Sequence, residues 1–440
     1  MKVKSLTGVL LAAILALSGC AGNVGTISEK KESPAVDDVQ EETVVTEPES
    51  EQEQSAEVAG DETAEAEPEP EEEEEEEDEE DEPEEEQGPP FSDSLEINTA
   101  DGKSVAAFYA LDTVISMTIY GPESENALKA AADLVDRLDR VISPQREGSE
   151  LRILNENGNA ICSDELIEAV SLGQEYGKAT DGAFNIAIYP VVDAWGFFSG
   201  EYRVPEAEEI EELLTLARPE DVKEAERPSK EWSNGRRNSK LKKGIVFETE
   251  GMKIDLGGIG KGYIADKIAL MFNEDYADGV TGAVISLGGN IICLGKKPEG
   301  KSFKVGLQDP GKAVGEYLAV VTAATSSEGN LTPYSIVTSG NYERFFEVDG
   351  VKYTHIIDPE TGYPVDNGLA SVTVISENSA LADAFTTALF VMGYDKAVEF
   401  WRSGTYDFEM ALIDENGKLY LTEGLKDQVK SYVQTEIITR

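Results

Sequence analysis

The residues with the most chemical content stand in one run, Met252-Lys-Ile-Asp-Leu-Gly-Gly-Ile-Gly-Lys-Gly-Tyr-Ile-Ala-Asp266, which reads as a strand, a glycine-rich turn and a helix start. Glycines let a backbone approach a phosphate closely, a helix N-terminus offers unpaired N–H groups and the positive end of its dipole, and Lys261 adds a charge. Asp255 falls at the strand's end, where a carboxylate can meet a metal or a ribose. Two familiar spacings are excluded. Lys261 is followed by Gly262 and Tyr263 instead of the Ser or Thr of a P-loop, and Gly258-Ile-Gly260-Lys-Gly262 lacks the period of the dinucleotide fingerprint. Taken alone, the run is equally compatible with a structural turn.

His355 is the only histidine of the chain and lies in Tyr353-Thr-His-Ile-Ile-Asp-Pro-Glu-Thr-Gly-Tyr-Pro364, at the end of a short strand and before a turn rich in Pro and Gly. An imidazole at such a loop edge can exchange a proton near neutral pH, although a lone histidine is more often structural. Asp358 either orients it or caps the turn. The segment Ser379–Met392 is apolar almost all round, which implies a buried helix, and Asp383 and Thr387, four apart, share one face of it. A buried carboxylate needs a partner. A hard divalent ion would serve, with the Thr387 hydroxyl and a loop carbonyl completing the shell, and so would a helix-start bond to the backbone. Thr180-Asp-Gly-Ala-Phe-Asn185 and Pro190-Val-Val-Asp-Ala-Trp-Gly196 bring small residues and aromatics together, for packing on a flat ring or for an aromatic core.

Elements that could hold these groups follow from periodicity. Ala110–Tyr120 alternates like a strand, while 124–142, 164–179 and 205–217 carry helical spacing. The charged, Lys- and Arg-rich stretch from Pro219 to Gly244 reads as a surface loop or insertion. Strand patterns recur at 245–248, 282–287, 302–307, 317–322, 344–348 and 370–376, with helices at 263–272, 379–392 and 396–402. Strands and helices that do not alternate strictly predict an α+β fold with mostly antiparallel sheets and packed helices.

The ends and the charge bound the class. Basic Met1-Lys-Val-Lys4, an apolar run from Leu6 to Leu17 and Leu17-Ser-Gly-Cys20 predict a secretory signal of residues 1–19 with a lipoprotein-type cleavage box, making Cys20 a lipidated first residue. Residues 20–95 are predicted to be a disordered acidic tether, since 21–95 hold 32 acidic residues against Lys30 and Lys31, with an unbroken acidic run from Glu71 to Glu82. The chain carries a formal net charge of -51. About -23 of it falls on residues 96–440, an acidic folded domain with no basic stripe, which argues against nucleic acid as a partner. Beyond Cys20 only Cys162 and Cys293 remain, without a spacing motif that decides whether they pair.

From about Ala107 to Val398 these segments, in this order, resemble the ApbE-like FAD:protein FMN transferases, the flavin-trafficking lipoproteins. The resemblance rests on Asp181-Gly-Ala-Phe184, Val192-Asp-Ala-Trp-Gly-Phe197, Lys253-Ile-Asp-Leu-Gly-Gly-Ile-Gly-Lys-Gly262, Ser286-Leu-Gly-Gly-Asn290, Thr338-Ser-Gly-Asn-Tyr-Glu-Arg344, His355-Ile-Ile-Asp-Pro-Glu-Thr-Gly-Tyr-Pro364 and Ala382-Asp-Ala-Phe-Thr-Thr387. It implies an ApbE-like, T-fold-related domain over 96–440 that binds FAD and Mg²⁺. In that chemistry a Thr or Ser hydroxyl of an exported flavoprotein acceptor attacks the FMN-side phosphorus, AMP leaves, and FMN stays on the acceptor. The implied metal positions are Asp383, Thr387 and the Gly258 carbonyl. Flavin contacts map to Leu111, Ala183, Phe184, Asn185, Asp255, Lys261 and Ile356, with His355 as catalytic base. Three positions depart from the family's usual residues: Leu111-Asp-Thr113 in place of Met-Gly-Thr, Asn185 in place of Asp, and Gln145 where a tyrosine often covers the flavin. Hydrolysis of FAD to FMN and AMP, or flavin binding without turnover by a surface lipoprotein, are the competing expectations. The implied location is the outer face of the cytoplasmic membrane, held by the Cys20 lipid.

Overall fold

The computed structural model describes residues 43–44, 89–233, 236–325 and 331–440. The predicted signal segment, Cys20 and nearly all of the predicted tether lie outside the described residues. Residues 89–95, grouped with the tether on composition, are built into the domain: Ser92 donates from N and Oγ to Asp133 at 2.7 and 2.8 Å, and the Phe91 ring packs edge-on against Phe108. One aromatic ring and one capped carboxylate thus extend the fold into an otherwise acidic segment.

A ten-stranded sheet forms the middle layer. Its order is Thr435–Ile438, Leu419–Thr422, Glu409–Asp414, Leu369–Ser376, Tyr334–Gly340, Asn290–Gly295, Gly282–Leu287, Thr113–Tyr120, Lys103–Ala110 and Asn98–Ala100. Every pairing is antiparallel except that of Leu419–Thr422 with Thr435–Ile438. Gly282–Leu287 and Asn290–Gly295 are buried throughout, as strands covered on both faces must be. Their alternation divides the interior. Ala283, Ile285, Ile292 and Leu294 face a helical core, whereas Val284, Ile291 and Cys293 face a second sheet containing Lys304–Gln308, Tyr317–Thr322 and Val429–Ser431. Thr43–Val44 adds to that second sheet, parallel to Lys304–Val305.

Helices Ser124–Ile142, Asp164–Ala179, Gly257–Asp275 and Ser379–Arg402 make the outer layer of the helical core. The first two match the predicted bounds, because apolar residues at i, i+3 and i+4 leave no alternative face to bury. The predicted helices 379–392 and 396–402 join in one element, interrupted at Gly393, whose φ of 73° is left-handed. The side chain of Asn367 takes up the Phe390 carbonyl there, at 2.6 Å.

Four expectations change, the first being that the glycine run expected as a turn is itself the opening of helix Gly257–Asp275, expected only from 263. The segment before Gly257 is irregular rather than a strand, because the Asn155 side chain satisfies both the amide and the carbonyl of Ile254, at 2.9 and 2.8 Å, which a neighbouring strand would otherwise do. The helix 205–217 is shorter, Ala207–Leu214. The expected loop from Pro219 to Gly244 is a long hairpin of Val222–Ser233 and Arg236–Phe247, whose base pairs with Asn159–Ile161. Among the described residues of the hairpin, Val222, Ile245 and Phe247 at its base join the core, and the sequence of the arm carries no apolar alternation to betray it. Cys162 and Cys293 are both free and buried, one in the helical core and the other between the sheets.

Helices Gly257–Asp275 and Ser379–Arg402 cross at Gly262, where a Cβ would lie 2.2 Å from the Ser379 carbonyl oxygen. Gly262→Ala is therefore expected to cost about 1–3 kcal/mol through forced separation of the two helices. Equilibrium denaturation reads this as a lowered midpoint at constant slope; an unchanged midpoint would mean that the crossing relaxes freely.

Candidate active site

Sequence and backbone build the site from the helix crossing outward. At Gly262 the amide, whose ordinary acceptor in the helix is the Gly258 carbonyl, donates to Asp383 Oδ2 at 2.9 Å. Asp383 is 4% exposed, so this single bond fixes a carboxylate in the interior. Thr387 lies one turn further along the same face, and a Cβ placed on Gly258 would come within 3.6 Å of its Oγ1 and 2.9 Å of the Phe184 ring. Carboxylate, hydroxyl and carbonyl thus gather from two helices. At Asp266 the relation is reversed: its carboxylate accepts from the Ser379 and Ala380 amides, both at 2.8 Å, and burial pushes its pKa up to about 6.

These groups open into a cavity of about 320 Å³, a size and mixture of walls suited to a small ligand. All the metal, flavin and catalytic positions that the family resemblance implied line it: Leu111, Ala183, Phe184, Asn185, Asp255, Gly258, Lys261, His355, Ile356, Asp383 and Thr387. The local reasons differ. Leu111 and Asp112 form the two-residue turn between paired strands Lys103–Ala110 and Thr113–Tyr120, and both have left-handed φ, 55° and 56°. Such hairpin turns favour Asn and Gly; Leu at this position stores strain of roughly 1 kcal/mol or more at the cavity wall. Asp255 Oδ1 accepts from the Gly257 amide at 2.9 Å, and burial raises its pKa. Lys261 Nζ folds back to the Gly257 carbonyl at 3.0 Å, poised over the first turn of its own helix. Asn185 is committed at both ends of its amide: Oδ1 accepts from Ala187 N at 2.8 Å and Nδ2 donates to Ala217 at 3.0 Å.

His355 follows strand Val351–Thr354 as expected. Its Nδ1 lies 3.2 Å from the Arg344 carbonyl, which can only accept, so Nδ1 carries the proton and Nε2 keeps its lone pair. Burial, and then the positive charges of Arg344 and Lys261, push its pKa down to about 3. The imidazole is neutral at physiological pH. Asp358 takes the second of its two expected roles: it binds Glu360 N at 2.9 Å and Thr361 Oγ1 at 3.2 Å, capping the turn.

Trp195 takes the second of the two uses expected for its segment: it sits in a separate aromatic core with Phe346, Tyr353 and Tyr363, its Nε1 bonded to the Gly362 carbonyl at 2.9 Å. Its neighbours Val192 and Phe197 reach the cavity. Glu343 and Arg344 also line it, and sequence reasoning gave neither a role. Their signal was present in Thr338-Ser-Gly-Asn-Tyr-Glu-Arg344, a polar turn at the end of a buried strand. Arg344 donates to the Phe197 carbonyl, tying the aromatic core to the cavity rim.

A divalent ion fits the donor set. Asp383, Thr387 and the Gly258 carbonyl offer oxygen only, and among the described residues there is no cluster of three His, Cys, Asp or Glu side chains that would call for another metal. Hard cations such as Mg²⁺ accept such a partial shell and take the remainder from water and phosphate.

Residues 111–412 match the ApbE family. The chain is 31% identical over 292 residues to a protein of Klebsiella pneumoniae named FAD:protein FMN transferase, covering 66% of this chain and 82% of that one. It is 33% identical over 291 residues to one of the same name from Treponema pallidum, covering 64% and 75%. The fold matches the crystal structure of the ApbE protein of Thermotoga maritima with a TM-score of 0.61 at 28% identity, over 74% of this chain and 98% of that one. A flavin transferase ApbE from Vibrio cholerae, at 22% identity and a TM-score of 0.59, shares the fold over 74% and 99%. The chain belongs to the ApbE family, alongside these FAD:protein FMN transferases.

Glu343 supplies a pH test. Burial raises its pKa from 4.5 to about 7, with Lys261 and Arg344 opposing and Asp383 adding to the rise. The folded state therefore holds a proton that the unfolded chain releases, and stability falls as pH climbs from 4.5 to 7. Glu343→Gln is expected to be more stable than the native chain at pH 8 by about 1–3 kcal/mol, with the gain vanishing below pH 5. Thermal melts across that range measure it; equal melting at pH 8 would show that the carboxylate is not strained.

Proposed function

We propose that this ApbE-family protein transfers FMN from FAD to a Thr or Ser hydroxyl of an exported acceptor protein, with Mg²⁺, and releases AMP. The observation that carries this reading is the meeting of three functions in one cavity: an oxygen donor set at the helix crossing, cationic Lys261 and Arg344, and a neutral imidazole. Phosphoryl transfer asks for little else. Its demands are positioning, neutralisation of charge on phosphate oxygens, and a base for the entering hydroxyl.

Division of labour follows from the residues. Lys261, free to swing from its own first-turn carbonyl, and the exposed amide end of helix Gly257–Asp275 attract the pyrophosphate. Phe184 and Ile356, buried beside Leu111, give the flavin ring apolar walls that exclude water. Nε2 of His355 accepts the hydroxyl proton as that oxygen bonds to the FMN-side phosphorus; the bond to the bridging oxygen breaks, and AMP departs with its electron pair. Mg²⁺ held by Asp383, Thr387 and the Gly258 carbonyl would supply charge neutralisation to the phosphate oxygens. An imidazole with so low a pKa is a weak base. Phosphate anions entering beside Arg344 and Lys261 offset those two positive charges and raise the pKa, while the larger lowering by burial stays in place.

The same reading places the protein outside the cytoplasm. Residues 1–19 would be cleaved, Cys20 would carry the lipid, and the acidic tether would carry the catalytic domain away from the bilayer toward acceptors. No helix among the described residues is long and apolar enough to cross a membrane.

Intact-mass spectrometry of an acceptor with a surface threonine, incubated with the protein, FAD and Mg²⁺, tests the proposal. A gain of one FMN phosphoester is expected. Asp383→Ala should abolish it, and His355→Ala should slow it by ~100- to 10,000-fold. Release of free FMN and AMP with every acceptor unmodified would replace transfer by hydrolysis, and bound but intact FAD would leave only a flavin carrier.

A further inference from the structure

Strands Phe345–Val348 and Val351–Thr354 form a ribbon that pairs with no other strand among the described residues. Asp349 and Gly350 close it with φ of 53° and 78°, the two left-handed residues of a tight hairpin turn. A turn of that length makes Val348 and Val351 a hydrogen-bonded pair. At the other end His355 N donates to the Arg344 carbonyl at 3.1 Å, so the pair bonded between them is Phe346 with Tyr353. The amides and carbonyls of Phe345 and Glu347 therefore point out of the ribbon along one edge, and those of Lys352 and Thr354 along the other.

The two edges differ. Thr354 is buried, whereas Arg344, Phe345 and Glu347 are exposed, and no backbone hydrogen bond from another described segment covers Phe345 or Glu347. An open edge of this kind is a template for a further strand. What singles it out is where it leads. Arg344 precedes the first strand, His355 follows the second, and both line the cavity, so the ribbon runs straight into the cavity wall. Alternation puts Arg344, Phe346 and Val348 on one face with His355, Tyr353 and Val351. That face stays apolar beyond the aromatic core: Val348 and Val351 are exposed, and Tyr202, also exposed, stacks on Phe346 at 5.0 Å.

We propose that an extended segment of the acceptor protein adds as a third strand along Phe345–Val348 and so carries its Thr or Ser to His355. The inference rests on the transferase reading above, since it concerns how the entering hydroxyl reaches that base. Backbone bonds to Phe345 and Glu347 give affinity without reading sequence, and alternate side chains of the added strand share the apolar face of Phe346 and Val348. Strands lie about 4.8 Å apart, so a residue level with Arg344 on the added strand has its Cα roughly 10 Å from that of His355, with both side chains on one face. An imidazole, a hydroxyl and the hydrogen bond between them span that gap. Arg344, which lies between, is drawn to the Phe197 carbonyl.

Acceptor kinetics with two proline variants test this, the probe being the acceptor protein that gains FMN in the intact-mass experiment. Glu347→Pro removes an outward N–H and fills the edge without costing a bond of the ribbon, and Lys352→Pro does the same on the opposite edge. Glu347→Pro is expected to raise the KM for acceptor about tenfold or more, with the affinity for FAD, read by flavin fluorescence, unchanged. Lys352→Pro should leave the acceptor KM as it is. In the parent protein, hydrogen exchange at the Phe345 and Glu347 amides should slow when acceptor is added, a readout that needs no variant to fold. An acceptor KM unchanged in Glu347→Pro, an equal rise in both variants, or amides left unprotected overturns the proposal. So does protection that grows with enzyme concentration in the absence of acceptor, since the edge then pairs with a second copy. If the parent protein forms no FMN adduct on any acceptor, the transferase reading falls and the added strand with it; an adduct formed equally well by Glu347→Pro removes the added strand alone.

Discussion

The architecture of the site hangs on one close approach, the passage of Gly262 beneath the start of helix Ser379–Arg402. Each helix lends the other a carboxylate. Asp383 accepts the amide of Gly262, and Asp266 accepts the first amides of the opposite helix. The exchange satisfies donors that burial would leave costly, and it locks the relative position of Asp383, Thr387 and Gly258 without any loop. Sites built on rigid elements hold their geometry better than sites on loops, and here the rigidity comes from an absent side chain.

Around that lock the cavity is an assembly of groups held away from their preferred charge. Burial raises Asp255 and Glu343 and lowers His355. The cations Lys261 and Arg344 work against the first two and with the third. Groups of both signs are thus held at an electrostatic cost in one cavity. The turn at Leu111 and Asp112 adds backbone strain at the same wall. Coincidence of both kinds of strain is what a preorganised site costs, and the helical core and central sheet beneath it supply the stability that offsets it.

Much of this was legible in the chain. Helices 124–142 and 164–179 were written in apolar spacing, and the fully buried strand 282–287 in a run whose one polar residue is Ser286. Site residues were legible as types: a glycine run, one histidine, and an acid in an apolar helix. What stayed hidden depended on partners distant in sequence. Asn155 occupies the backbone of Ile254 and denies the segment before Gly257 its strand, and nothing in the local pattern announces that. The hairpin after Val222 hid for the opposite reason, since its sequence is dominated by charged residues with no apolar alternation. Glu343 and Arg344 lacked an assignment because their role comes from the cavity that a strand end happens to enter.

The two cysteines lie on opposite faces of the central sheet, and burial raises the Cys162 thiol to about 11 and the Cys293 thiol to about 12. In the finished fold burial disfavours thiolate at both, and the sheet keeps them apart. An unfolded chain has no such protection, and in an oxidising compartment a bond between them would tie together two residues that the sheet must separate. Folding and oxidation are then in a race. In such a compartment the native state is the safe product for a chain that closes its ten-stranded sheet first.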